Sequence, residues 1–157
     1  MKISNDTRNI LKNFSTINSG IRVKTGNKVE TISNMKNILA VATVDESFPQ
    51  DFSIYNLPEF LGATSLLNDP EFTFGDASLT VADDNSSLAY FYASEGMVTA
   101  PDKMITMPDA EINIEISSAL LSELQKAASV LGVNDLVLSS DGNTIKLEVT
   151  DKKNPTS

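Results

Sequence analysis

The chain has 157 residues, 41% of them hydrophobic, and a formal net charge of −9, enough apolar material for one packed domain or a domain and a fraction. It contains no cysteine and no histidine, which excludes disulfide scaffolds, thiol nucleophiles and thiolate zinc sites and removes the commonest general base. No stretch approaches the ~20 apolar residues that span a bilayer, and residues 1–30 lack the apolar run of a signal peptide, so a soluble cytoplasmic protein with no membrane partner is expected.

A short apolar strand at Ile3 leads into Ser4, Asn5 and Asp6, any of which can accept hydrogen bonds from the free amides of a helix start. Ile10, Leu11, Phe14 and Ile17 then form one stripe of a 3.6-residue period, predicting a helix to about Ser19 with Gly20 as its stop. Residues 21–24 and 28–32 flank Thr25-Gly26-Asn27, a hairpin signal. A third strand is expected over residues 37–44 and a loop over 45–50. A strand over 52–55 leads to a second helix from Asn56, with Pro58 in its first turn and Asn68-Asp69-Pro70 as its stop. Strands follow at 72–74, 78–82 and 88–92, the last two joined across 83–87.

Pro101 and Pro108 bracket an extended segment that reads as a linker. Beyond it come a strand over 112–116, a helix capped by Ser117 or Ser118 and ended by Gly132, and a hairpin of 136–139 with 144–150 closed by Asp141-Gly142. The order strand, capped helix, strand thus occurs three times, the mark of assembly from one recurring α+β element. Residues 1–100 are expected to form a complete domain of two such units, 101–109 a connector, and 110–157 the first half of a second domain. That half has nothing to cover Leu120, Leu121, Leu124 and Leu131.

Charge is unevenly spread. Residues 1–36 hold seven basic side chains against two acidic, whereas 37–157 hold five against nineteen. Because fields decay over roughly 8 Å at physiological salt, a basic face can attract an anion that the rest of the molecule repels. Arg8 and Lys12, four apart on the first helix, fit either a solvated helix face or non-specific contact with phosphates, and Lys2 precedes them. Lys126 stands two residues after Leu124 as Lys12 stands two after Ile10, although Gly62 breaks the pattern in the second helix. Met104, Ile105 and Met107 fit either linker packing or the rim of a peptide-binding groove. Asp83-Asp84-Asn85 lacks the spacing and terminal glutamate of a calcium loop and reads as a hairpin tip. With neither a nucleotide-binding glycine pattern nor a nucleophile paired with a base, no catalysis, metal or cofactor is expected.

Met1-Lys2-Ile3-Ser4, Ile10 to Phe14, Ser15 to Gly20, Phe60-Leu61-Gly62, Ser65-Leu66 and Leu67-Asn68-Asp69 together resemble the sliding clamps of T-even-type bacteriophages. The third unit, with Glu123 to Ala128 and Asp151 to Pro155, is especially similar to clamps from viruses of marine cyanobacteria. The resemblance implies a DNA-clamp fold of repeated β-α-β-β units, with helices on one face of antiparallel sheets. It implies a processivity factor rather than an enzyme: a homotrimeric ring around duplex DNA that tethers the DNA polymerase in the cytoplasm of an infected bacterium. Lys2, Arg8, Lys12 and Lys126 would face the phosphates. Met104, Ile105 and Met107 would border the pocket used by polymerase and clamp loader. Family members carry a fourth unit that this chain lacks, so an incomplete ring and an unusual oligomer are expected. The contrasting reading is an acidic interaction module that never encircles DNA.

Overall fold

The computed structural model describes residues 1–94, 96–103, 106 and 108–154. The chain divides into two compact units, Met1–Ile105 and Thr106–Ser157.

In the first unit, helix α1 (Asn5–Ile17) starts at Ser4, whose side-chain oxygen accepts from the Thr7 amide at 3.2 Å. Its Thr7, Leu11 and Phe14 are buried, with Ile10 and Ile17 partly so, the stripe that a 3.6-residue period predicts. Strands β1 (Ile21–Val23), β2 (Gly26–Ile32), β3 (Leu39–Phe48) and β4 (Phe52–Ile54) follow, then α2 (Leu57–Thr64) and strands β5 (Glu71–Phe74), β6 (Ser78–Ala82) and β7 (Ser87–Phe91). Asn56 caps α2 by accepting from the Glu59 amide, with Pro58 in the first turn where no intrahelical donor is needed.

All pairing is antiparallel: β2 with β3, β5 with β6 with β7, and β1 with β4. The last pair, Ile21 opposite Ile54 and Val23 opposite Phe52, stitches the first repeat to the second. Helix α1 packs against β2 and β3 and beside α2. Helix α2 lies on the second sheet, its Phe60 ring meeting Tyr90 and Phe72 edge-on at 5.1 and 6.4 Å. Tyr90 also accepts a hydrogen bond from the Asn56 amide through its hydroxyl.

The structure corrects several local expectations. Residues 21–24 and 28–32 do not form a hairpin, because Thr25 turns away to donate its amide and hydroxyl to the Asp51 carboxylate, both at 2.7 Å. Gly26, at φ 111°, then starts a strand whose partner is β3. The loop expected over 45–50 is strand as far as Phe48, since Val44 and Phe48 bury on the inner face and Glu46 between them points the same way to a polar partner. Gly20 does not stop α1. Asn18 does, in extended conformation, with its side-chain amide donating to the carbonyls of Ile32 and Thr99. Gly20 serves close approach instead: a Cβ there would stand 3.0 Å from Val98 Cγ1 and 3.3 Å from the Tyr55 carbonyl oxygen. Ile3 belongs to no strand, its segment being tied to β5 by the reciprocal backbone bonds of Met1 and Phe72 and by the Met1 ammonium on the Glu71 carboxylate.

The second unit holds α3 (Ser118–Leu131) and the hairpin of β8 (Asp135–Ser140) and β9 (Ile145–Thr150). Ser117 caps the helix start and Gly132, at φ 68°, ends it in the left-handed conformation that favours glycine. Residues 112–116 form no strand, because their alternating isoleucines find no partner ladder among the described residues. Val133 is the one buried hydrophobic residue described in this unit, while Leu120, Leu121, Leu131, Leu136 and Ile145 are exposed.

Glu46 ties β3 to α1, accepting from the Ser4 amide and the Thr7 hydroxyl at the helix N-terminus, where the helix dipole favours an anion. Burial pushes its carboxyl up, but the bonds from Thr7 and Ser4 outweigh that and hold it below its ordinary value of 4.5. Its stabilisation is therefore complete above that value and lost as pH falls through the lower value of the folded state. Glu46→Gln is expected to cost about 1 kcal/mol at neutral pH, a figure that allows for its partial exposure. Urea unfolding at a series of pH values should show the gap between wild type and variant closing toward acid.

Candidate nucleic-acid interface

Because Thr7, Leu11 and Phe14 turn one side of α1 into the core, Arg8 and Lys12 come out together on its flank. Leu57, Phe60 and Thr64 orient α2 in the same way. The two flanks bound a cleft of about 370 Å³, with Arg8, Asn9, Lys12 and Ser15 on the α1 side and Pro58, Leu61, Gly62 and Ser65 on the α2 side. Among the described residues no carboxylate lines it, so the cleft is cationic in a chain of net charge −9. Lys12 is exposed; Arg8 is half-buried, and its Nε is buried with no hydrogen-bond partner. Among the described residues neither cation has an ion-pair partner.

Lys2 differs. It reaches a neighbouring cleft shared with Arg8, but there it forms an exposed ion pair with Asp69. The hydrogen bond and charge of Asp69 push its ammonium pKa up, and the local field it presents is largely cancelled. Lys126 is exposed on α3, in the second unit. Met104, Ile105 and Met107 lie outside the described residues.

Two features escaped the sequence reading. The α2 wall carries no charge, and its signal was Gly62, a glycine inside a helix, which costs about 1 kcal/mol relative to alanine. The other is Arg22, which donates from Nη2 to the Pro101 carbonyl at 3.2 Å and pairs with Asp102 at 3.7 Å, fastening the start of the connector to β1. Its signal was a lone arginine between buried Ile21 and Val23.

Asp83 is a turn-former: backbone amides of Asn68, Asn85 and Ser86 donate to its carboxylate and hold it below the ordinary aspartate range. Among the described residues no group of three or more acidic side chains is disposed to hold a metal ion, and no helix is long and apolar enough to cross a membrane.

Residues 4–100, nearly the whole first unit, match the family model described as DNA polymerase processivity factor. The chain is 32% identical over 157 residues to the sliding clamp of Vibrio phage KVP40, an alignment covering 96% of this chain and 71% of that one. It is 35% identical to the sliding clamp of Enterobacteria phage T4, covering 88% of this chain and 62% of the relative, and 30% identical to that of Escherichia phage RB69, covering 92% and 65%. The chain thus spans roughly two thirds of the length of these relatives. With its antiparallel sheets, paired helices and match across the first unit, the chain belongs to the DNA polymerase processivity factor family, whose members are replication accessories and not enzymes.

Proposed function

We propose that this chain acts as a sliding clamp, a subunit of a ring around duplex DNA that tethers the replicative polymerase without reading sequence. The observation that carries this is the cationic cleft on the paired α1 and α2, lined by no carboxylate among the described residues of an otherwise acidic protein. A ring holds DNA topologically, so weak, salt-dependent attraction to phosphates suffices and allows sliding. The acidic remainder repels DNA from other faces. Arg8 and Lys12 are the principal phosphate contacts of the first unit, Lys2 a secondary one, and Lys126 the contact from the second. A homotrimer, a clamp loader acting on it and the cytoplasm of an infected bacterium belong to this reading, as does kinship of the third repeat with clamps of cyanobacterial viruses. So does binding of partner peptides by Met104, Ile105 and Met107. The family assignment leaves an acidic module that never meets DNA without support.

In primer extension with the cognate loader and polymerase, Arg8→Glu with Lys12→Glu is expected to shorten products several-fold while unassisted polymerase is unaffected. Product lengths unchanged by the double substitution would sink the proposal. Binding of the chain to a short duplex at low salt separates the cations further. Lys12→Ala should lower the slope of log affinity against log salt by about 0.9, the value of one lost phosphate contact. Lys2→Ala should lower it by about half that or less, because Asp69 already offsets its charge, and Asp69→Asn should restore Lys2 to full effect.

A further inference from the structure

Gly62 occupies the interior of α2, where glycine is the least favourable ordinary residue. Neither usual reason for a glycine applies. It is not among the residues with positive φ, and a Cβ at that position would meet no atom within 4 Å. What its missing side chain does provide is clearance, because it lies on the wall of the α1–α2 cleft opposite Arg8 and Lys12. The hydroxyls around the cleft are already committed within their own helices: Ser15 donates to the Lys12 carbonyl, Ser65 to that of Gly62 and Thr64 to that of Leu61. Among the described residues the charged donors around the cleft without an ion-pair partner are the Arg8 guanidinium, whose Nε is itself buried, and the Lys12 ammonium. A site with cationic donors on one wall and an apolar wall of Pro58, Leu61 and Gly62 on the other suits an anion flanked by hydrocarbon, the chemistry of a phosphodiester beside its deoxyribose.

We infer that the α1–α2 cleft is a seat for a single backbone phosphodiester, with Arg8 and Lys12 donating to the phosphate and Gly62 kept bare so that the sugar can pass. This rests on the DNA-facing reading above and sharpens it: attraction is concentrated at a shaped position and not spread as a diffuse field. A guanidinium also differs here from an ammonium, since its planar fork can hold two phosphate oxygens at once.

Titration of the isotopically labelled chain with a short DNA duplex, followed through the Arg8 Nε–H resonance, tests the seat directly, with inorganic phosphate as the comparison arm. The resonance should shift saturably with duplex and only weakly with inorganic phosphate. Gly62→Leu, which adds bulk but leaves every charge, should weaken duplex binding about three-fold or more. Arg8→Lys should do likewise although charge is kept. Gly62→Ala should raise the thermal midpoint, and Gly62→Leu should not lower it, so that weakened binding is separated from misfolding. Full binding by Gly62→Leu, a still Arg8 resonance, or equal response to inorganic phosphate would each overturn the seat. If Arg8→Glu with Lys12→Glu weakens binding while Gly62→Leu does not, the seat alone falls; if neither does, the DNA-facing reading falls with it.

Discussion

Leu11 and Phe14 from α1 and Leu57 and Phe60 from α2 enter one common core, and the rest of the first unit follows from that shared burial. Two amphipathic helices that press their apolar sides into the same core must stand side by side, which leaves their flanks as neighbours and makes a cleft between them unavoidable. The pairing of β1 with β4 fixes the arrangement, because it joins the strand that leaves α1 to the strand that enters α2. The Leu57 amide, bonded to the Ser19 carbonyl at 2.6 Å, adds a direct tie between the segment just after α1 and the start of α2. Arg8 and Lys12 are therefore positioned by the core, with no loop conformation involved.

Electrostatics then decides which cations on this surface are available. Glu46 and Lys2 lie near the start of α1, but each is already engaged, one by the helix N-terminus and the other by Asp69. An exposed ion pair adds little stability, yet it removes a positive charge from the field that an approaching polyanion meets. Arg8 and Lys12, one turn further on, have no such partner among the described residues. A chain with net charge −9 can attract DNA locally only if its free cations are grouped and its carboxylates kept out of that group. Among the described residues the lining of the α1–α2 cleft meets both conditions, Glu46 and Asp69 lying in the neighbouring cleft that Arg8 also borders.

The helices were legible in the sequence because their signals are local. Ser4, Asn56 and Ser117 are caps, Gly132 is a left-handed stop, and the apolar stripes have helical period. Strands β5, β6 and β7 were legible too, since alternation and the Asp83 turn need no distant information. What failed was partner choice. Thr25-Gly26-Asn27 looks like a hairpin turn, but whether β1 folds back on β2 depends on Asp51, 26 residues later. The polar run Asp45-Glu46-Ser47 looks like a loop because the partners of Glu46 lie about forty residues earlier in the chain. The placement of Arg8 and Lys12 on one flank of α1 could be read from their spacing, whereas the α2 wall of the cleft could not, because a surface made of proline, leucine and glycine announces no chemistry until it faces a cation.

The second unit shows, by contrast, what a single repeat accomplishes. It has well-formed caps, a turn closed by amides of Asn143 and Thr144 on Asp141, and a full β8–β9 ladder. Local structure is therefore complete without a neighbour, whereas burial is not. Leu131 and Ile145 are 66% and 64% exposed, and α3 contributes no buried residue. Each buried leucine or isoleucine is worth roughly 1.5–3 kcal/mol, so the repeat forgoes the largest favourable term in folding unless apolar surface is brought against it. In the first unit that surface is the second repeat. The capped helix and its strands are thus the unit of local structure in this fold, and the pair of repeats is the unit of stability, which is why the α1–α2 cleft is built in full within residues 1–105.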